Sequence, residues 1–486
     1  MSDSAPPDNR PAAHGARFPI QAPLKSIAPI TAPGLAQWTL KEADRCVLCG
    51  LCLPHCPTYR KTGDENESPR GRIVLMRALA SGALPASERL VSHLSLCLGC
   101  RACERVCPSG VHYGQLIEAG RALVRTQQPT AWLTRIGLGL CTRPRLLECI
   151  ATVLRFYQHS GLQHLARASG VLHLLRMQRQ ESFLPILQAR LPGQAFHPAQ
   201  GMRRGHVALF LGCVARALDT DTLAAAIRLL TRLGYDVVVP QNQTCCGALQ
   251  REAGQTEQAQ LLAQQNRAAF HAADVDTVIT VASGCGAVLA NSDINDESIQ
   301  APLLAQWTLD GRGRPRRELA VEDTGTTPVM AEVDRVGNER SAEHRIRILD
   351  IHQFLADVAL PESMTLAPLP LTIAVQDPCS LRNALRAEQT VYALLTRIPA
   401  ARILPLAENH LCCGGAGAYP LRQPAMADLL RADKLAHLQK LQPAILATAN
   451  LGCALHLSAG LRAQGLDIEV AHPVVLFERQ LRPKPA

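Results

Sequence analysis

The run Cys46-Val47-Leu48-Cys49-Gly50-Leu51-Cys52-Leu53-Pro54-His55-Cys56-Pro57 recurs, with every cysteine in register, as Cys97-Leu98-Gly99-Cys100-Arg101-Ala102-Cys103-Glu104-Arg105-Val106-Cys107-Pro108. Each copy places four cysteines in eleven residues, with a proline directly after the fourth. Three thiols separated by two residues wrap a tight loop and converge on one centre, while the fourth starts the next segment and points elsewhere. Zinc ordinarily takes two separated pairs of ligands, and a disulfide scaffold has no need of this repeated register. The spacing therefore implies two cubane iron–sulfur clusters, whose chemistry is electron transfer.

Both runs resemble the cysteine motif of bacterial two-cluster ferredoxins. That resemblance implies that the fourth cysteine of each motif ligates the other cluster. One [4Fe–4S] cube then takes Cys46, Cys49, Cys52 and Cys107, and the other takes Cys97, Cys100, Cys103 and Cys56. Around the motifs the chain reads as helical. A helix from Ala36 to Asp44 leads into the first loop, Glu88 to Leu96 feeds the second, and Gln115 to Gln127 follows it. Ser68 as N-cap and Pro69 at the first helical position predict a further helix to about Ser81, stopped by Gly82. Arg70 and Arg72 at its start oppose the dipole preference. A nearby anionic cluster and plain solvation account for them equally.

The chain has 486 residues, 18 cysteines and a formal charge of +9. That length suits several domains, and the composition is that of a soluble globular protein. No charged start followed by an apolar core suggests a secretory signal, so a reducing, cytoplasmic setting with metal-bound thiolates is expected. No stretch reads as a membrane span. The charge is uneven: Arg121 to Arg204 holds twelve arginines, no lysine and two acids, Glu148 and Glu181, so this stretch carries the whole excess. It reads as solvated helix faces or as a docking surface for anionic lipid or an acidic subunit. No nucleic-acid motif accompanies it. Cys141 and Cys149, in the same stretch, belong to no motif and read as packing residues.

The second half is an internal repeat. Cys213, Cys245-Cys246-Gly247 and Cys285 are matched by Cys379, Cys412-Cys413-Gly414 and Cys453, with intervals of 32, 1 and 39 residues against 33, 1 and 40. Both copies alternate strands and helices, which argues parallel sheets covered on both faces. Each cysteine falls at or just past the carboxyl end of a strand, the edge where open α/β sheets bind ligands. Neighbouring glycines, among them Gly247, Gly284, Gly414 and Gly452, are expected to let a bulky ligand approach the backbone. His352 and His472 occupy equivalent positions near the ends of the two copies. The first copy carries 48 extra residues, a polar insertion over about 291–345, expected to be largely disordered or to form a small hairpin.

The fold class expected is α+β multidomain. A disordered tail (1–33) precedes an α-helical two-cluster ferredoxin domain (34–128) and a basic helical linker (129–204). Two tandem α/β cysteine-rich repeats follow, 205–360 and 368–486. This arrangement resembles the iron–sulfur subunit of glycolate oxidase (glycolate dehydrogenase). The wider group includes the iron–sulfur subunit of anaerobic glycerol-3-phosphate dehydrogenase, lactate-utilisation proteins and the Cys-Cys-Gly subunit of heterodisulfide reductase. Ser68-Pro69-Arg70-Gly71-Arg72, Ala282-Ser283-Gly284-Cys285-Gly286 and Thr448-Ala449-Asn450-Leu451-Gly452-Cys453 carry the likeness to the glycolate group. The resemblance implies an electron-transfer subunit without catalytic residues of its own, inactive alone. It would pass electrons from a flavin-containing dehydrogenase subunit to a respiratory acceptor; the arginine-rich stretch, read as a docking surface, adds peripheral association with the anionic inner membrane and its quinone pool as an expectation.

The resemblance also implies further iron–sulfur centres on Cys213, Cys245, Cys246 and Cys285 and on Cys379, Cys412, Cys413 and Cys453. In heterodisulfide reductase-like proteins each repeat ends in Cys-x-x-Cys. Here Ala282 and Asn450 replace the first cysteine of that pair, so four thiolates per repeat are expected and a five-thiolate arrangement is not. The alternatives are a thiol–disulfide reductase, an iron–sulfur subunit of a lactate or glycerol-3-phosphate dehydrogenase, and a cluster-based sensor of iron or oxygen. His410, beside Cys412, reads as a donor near a metal loop rather than an acid–base catalyst.

Overall fold

The computed structural model describes residues 32–128, 132–191, 193–292, 307–309, 315–317 and 346–484. Residues 1–31 of the expected tail and most of the polar insertion lie outside the described residues. Within the insertion, Trp307–Leu309 and Pro315–Arg317 form an antiparallel ribbon.

The first unit is built from α1 (Ala32–Ala43), α2 (Pro57–Thr62), α3 (Pro69–Ala80), α4 (Glu88–Ser95), α5 (Ala102–Arg105) and α6 (Tyr113–Gln127). Helix α1 starts earlier than its periodicity predicts. Pro57 and Pro69 open α2 and α3 where a missing N–H costs nothing, and α2 ends on Gly63 at φ +65°. The Ser68 hydroxyl accepts from the Gly71 N–H at 2.9 Å, as the cap predicts. Gly71 is obligatory, because a Cβ there would lie 1.9 Å from the Glu65 carbonyl oxygen. Helices α1, α3 and α6 pack on one another and bury Met76, Leu94, Leu116 and Ile117.

Arg72 is not solvated. Its guanidinium, 1 % exposed, ion-pairs with Glu67 and donates to the Glu67 carbonyl, to Thr58 Oγ1 at 3.1 Å and to the His93 carbonyl at 2.8 Å. Glu67 also meets His93 Nδ1 at 2.6 Å. Three segments are thereby tied together in the core.

Helices α7 (Trp132–Cys141), α8 (Pro144–His159), α9 (Leu162–Ala168), α10 (Val171–Leu174) and α11 (Gln178–Ser182) form the linker. The remaining strands are β1 (Phe196–His197), β2 (Gly205–Phe210), β3 (Tyr235–Val238), β4 (Thr277–Thr280), β5 (Trp307–Leu309), β6 (Pro315–Arg317), β7 (Arg347–Asp350), β8 (Met364–Leu366), β9 (Thr372–Gln376), β10 (Arg402–Pro405), β11 (Ile445–Thr448), β12 (Glu469–Ala471) and β13 (Leu481–Pro483). The first sheet runs β1-β3-β2-β4-β7 and the second β10-β9-β11-β12; apart from the antiparallel edge strand β1, all pairings in both are parallel. Numbered within each copy, both sheets have strand order 2-1-3-4, so the repeat visible in the cysteine intervals is also a repeat of topology.

The two sheets share one apolar core. Thr220–Arg232, after the first strand of copy one, packs on Pro473–Gln480, after the fourth strand of copy two; Ile351–Ala356 and Glu388–Leu395 make the reciprocal contact. Leu223, Leu229, Leu394 and Val474 are fully buried there, each contributing about 1.5–3 kcal/mol. His352 and His472 face each other between the copies, their rings 5.1 Å apart. Asp350 holds the His352 Nδ1 at 2.6 Å, while His472 Nε2 meets the Val281 carbonyl.

Replacing Arg72 with methionine would leave Glu67 buried without its charge partner. We expect a loss of about 3–5 kcal/mol from the helical domain, measured as a lowered denaturant midpoint for its unfolding. A midpoint within experimental error of the unmodified chain would contradict the structural role of this pair.

Candidate metal centres

The first motif forms a loop ending in a 3-10 turn, Leu53–His55, while Cys103 and Cys107 flank the end of α5. Cys46, Cys49, Cys52 and Cys107 come together around a cavity of about 430 Å³, walled otherwise by Ile73, Val111 and Tyr113, with Arg70 at its edge. Cys56, Cys97, Cys100 and Cys103 line a second cavity of about 300 Å³, against Arg72 and Tyr113. The fourth cysteine of each motif has crossed to the other's cavity. Cys103 borders both. Arg70 and Arg72 therefore stand at the cavities, and solvation of Arg72 is ruled out.

Both cavities suit a multi-iron group. Their donors are thiols, and burial pushes Cys52 up to about 11 and Cys103 well above the usual thiol range. Iron coordination reverses that penalty by deprotonating the thiol. Among the described residues no three Cys, His, Asp or Glu side chains are arranged to hold a single metal ion.

In the second repeat, Cys379 follows β9, Cys453 lies in the first turn of Leu451–Ala463 after β11, and the Cys412-Cys413 turn follows β10. Strands β9 and β11 are neighbours whose crossovers run to opposite sides, the switch point where such sheets take ligands. Cys413 Sγ is 3.2 Å from Cys453 Sγ, and Cys412 Sγ is 3.9 Å from Cys379 Sγ. A Cβ on Gly415 would sit 2.7 Å from the Gly452 carbonyl, and one on Gly452 would sit 2.5 Å from that of Gly415. These two glycines let two stretches of protein backbone meet, where a ligand was expected to make the close approach. All four thiols border a solvent-open cleft against the helical domain, with Arg101, Arg121, Glu118 and Arg251 around it. Burial and the neighbouring Cys379 raise the Cys100 thiol, which places the second ferredoxin cavity next to the second repeat. Asn383 Nδ2 donates to the Cys100 carbonyl at 2.8 Å, and Tyr419 to the Leu96 carbonyl.

The first repeat gathers Cys213, Cys245, Cys246 and Cys285 in the same way. Cys213 Sγ and Cys245 Sγ are 3.3 Å apart, and Cys285 packs against the buried cluster that contains Cys246. Cys141, read from sequence as a packing residue, reaches this group: it packs against the buried cluster of Cys213, Cys245 and Leu262. Cys149 is exposed and joins nothing. Asn450 stands where the motif lost a cysteine. Its side chain caps Gly452 N at 2.9 Å and donates to Ser283 Oγ and Ser380 Oγ, tying the carboxyl edges of the two copies together. His410 lies 6.1 Å from the His55 ring at the seam with the helical domain. Lys434, 1 % exposed, was not anticipated; it is buried near Cys412 and Cys413 and donates to the Glu408 carbonyl at 2.7 Å.

Two thiol-lined cavities in a helical unit, joined to twin parallel sheets bearing Cys-Cys-Gly turns, define an iron–sulfur protein of the dicluster, cysteine-rich-domain class. A 4Fe–4S dicluster domain matches residues 42–111, and a cysteine-rich domain matches 207–290 and 373–458. The linker region of the glycolate oxidase iron–sulfur subunit matches 129–184. A protein of Bacillus subtilis (strain 168), described as a probable glycolate oxidase iron–sulfur subunit, is 33 % identical over 88 % of this chain and 91 % of its own length. The glycolate oxidase iron–sulfur subunit of Escherichia coli (strain K12) is 29 % identical over 90 % of this chain and 93 % of its own. Lactate utilization protein A of Geobacillus thermodenitrificans (strain NG80-2) is 24 % identical over 55 % of this chain and 95 % of its own. The chain belongs to the family of glycolate oxidase iron–sulfur subunits, and two [4Fe–4S] clusters come with its dicluster domain.

The crossing of the fourth cysteines can be tested directly. Cys56→Ser, although made in the first motif, should remove the second cube and lower iron by about four per chain. Paramagnetic resonance of the reduced protein should then show one isolated cluster with the first cube's signal. Loss of the first cube alone would reverse the assignment.

Proposed function

We propose that this chain is the electron-carrying subunit of a flavin-dependent 2-hydroxy-acid dehydrogenase that oxidises glycolate to glyoxylate. Cys46, Cys49, Cys52 and Cys107 hold one cube in this reading, and Cys56, Cys97, Cys100 and Cys103 the other. The eight cysteines of the repeats hold further iron–sulfur centres. The substrate comes from the relatives, which are named glycolate oxidase iron–sulfur subunits. The observation that carries the relay is the unbroken succession of thiols. It runs from exposed Cys49, past Cys103 between the two cavities, to Cys100 beside Cys379.

Clusters bound along this line supply one-electron carriage. The chain's own residues set the direction. Val47, Leu48 and Leu51 surround Cys49 and are 69, 52 and 57 % exposed, an apolar collar suited to a partner that delivers electrons there. The sequence has no Gly-x-Gly-x-x-Gly turn for a dinucleotide. Removal of the electron pair from glycolate is therefore assigned to a flavin-containing partner.

The linker supports peripheral attachment to a membrane where a quinone acceptor resides. Of the arginines between Arg121 and Arg204, Arg121, Arg155, Arg167, Arg179, Arg203 and Arg204 are bound to carbonyls or carboxylates of the chain itself, which shrinks the docking charge read from sequence. What the charge count did not show is apolar. Leu146, Ile150, Val153 and Phe156 lie along one exposed face of α8, beside exposed Arg143 and Arg145. A surface of this kind suits anionic lipid, with about 1 kcal/mol from each arginine close to it. No helix among the described residues is long and apolar enough to cross a membrane.

The anaerobically purified chain alone should leave glycolate unoxidised in the presence of an artificial acceptor, and its flavin partner should restore turnover. Turnover without flavin would remove the relay. Cys412→Ser should slow transfer to the acceptor while both ferredoxin cubes remain. For attachment, Val153→Asp with Phe156→Asp, and Arg143→Glu with Arg145→Glu, should each reduce co-sedimentation with phosphatidylglycerol vesicles, the arginine contribution fading with salt. Unchanged binding in both pairs would exclude this face as the lipid contact.

A further inference from the structure

Cys141 ends α7, in the linker, far along the chain from either repeat. The backbone on each side of it is fastened to the Cys-Cys-Gly turn of the first repeat. Thr244, just before Cys245, donates through Oγ1 to the Thr142 carbonyl at 3.4 Å. Gln250, fully buried, donates through Nε2 to the Leu138 carbonyl at 3.4 Å, and its Oε1 lies 3.9 Å from Cys245 Sγ. Between these two anchors Cys141 packs against Cys213, Cys245 and Leu262. Cys213 Sγ lies 3.3 Å from Cys245 Sγ, and on the far side of the Cys-Cys turn Cys285 packs against the cluster that holds Cys246. Five thiols thus form one contiguous group.

The second repeat has a different arrangement. Its own thiols are Cys379, Cys412, Cys413 and Cys453, and Cys100 nearby already lines the second ferredoxin cavity. At its seam the linker contributes no thiol. Arg179 pairs with Asp428 at 2.8 and 3.0 Å, and Phe183 stacks on His456 at 5.7 Å. A packing role would need neither the two carbonyl anchors nor a place among other thiols.

We propose that Cys141 is a fifth thiolate ligand of the iron–sulfur centre in the first repeat, supplied by the linker in place of the cysteine absent at Ala282. This rests on the reading that the repeats hold iron–sulfur centres. On binding, the thiol releases its proton to solvent as the iron–sulfur bond forms, and no electron is exchanged. The two repeats are then chemically unequal: five thiolates in the first, and four with buried Lys434 in the second. Extra thiolate charge lowers a cluster's reduction potential, so the first repeat's centre is the harder of the two to reduce.

The full-length chain, purified anaerobically, should be compared with Cys141→Ser, Cys141→Ala, Cys213→Ser and Cys149→Ser by iron and acid-labile sulfide content and by Mössbauer spectroscopy. Both Cys141 variants should lose the same iron component as Cys213→Ser, with the ferredoxin cubes kept as an internal measure of folding, and Cys149→Ser should match the parent. In the unmodified iron-loaded chain, iodoacetamide should modify Cys149 and leave Cys141 untouched until iron is chelated. Wild-type iron and spectra in the Cys141 variants, with iron lost in Cys213→Ser, would overturn the fifth ligand and leave the centre standing. Full iron in Cys213→Ser as well would overturn both. Alkylation of Cys141 as fast as Cys149 in the iron-loaded chain would overturn the proposal without any variant.

Discussion

The guanidinium of Arg72 is a full charge sealed inside the helical domain, and its bonds decide where the second cavity lies. It reaches the Glu67 carboxylate and carbonyl, Thr58 and the His93 carbonyl, and so draws the segment after Cys56 and the helix before Cys97 onto α3. Cys56 is held in turn, its thiol 3.2 Å from Thr58 Oγ1. A buried ion pair is poor evidence of net stability, because desolvation offsets much of the attraction. Its effect here is positional. Its bonds join the segments on either side of the second cavity, and beyond them Leu98 and Cys100 pack against Cys412 and Tyr419 of the second repeat. The contacts of Asn383 and Tyr419 with the second cysteine loop close the same seam from the other side.

The two repeats show how a duplicated unit becomes specialised while its packing is kept. Strand order, helix pairing and the facing histidines are common to both, so the shared core constrains them together. The departures fall at the carboxyl edges. One copy has alanine at 282 and a linker cysteine nearby; the other has Asn450, whose amide binds serines from both copies. A residue that reads as a missing ligand is in fact the polar joint between two sheets. The insertion enters between Ser283–Ala290, the helix that carries Cys285, and β7.

Much of this was legible in the chain. Cysteine spacing, the Ser68-Pro69 cap and the matched intervals are local or periodic signals, and local chemistry enforces them. Arg72 was not legible, because a charge at a helix start looks the same in sequence whether it faces water or a buried glutamate. Cys141 was hidden for a related reason: its partners lie in another unit, and nothing near it in sequence marks the contact. The linker misled in a third way. Net charge counts arginines without regard to direction, and many of them turn inward to carbonyls. The apolar stripe of α8 has ordinary helical period, and period alone does not say which side is covered.

The crossed cysteines carry a consequence for biogenesis. A cube delivered first to the Cys46 loop needs Cys107, which belongs to the other loop, and a cube delivered to the Cys97 loop needs Cys56. In the proposed ligation neither site is complete until both loops have folded, which couples cluster insertion to folding of the helical domain. The same geometry governs oxidative damage. In the proposed ligation, an oxidant that strips the cube at exposed Cys49 also frees Cys107, at the end of the other cube's loop.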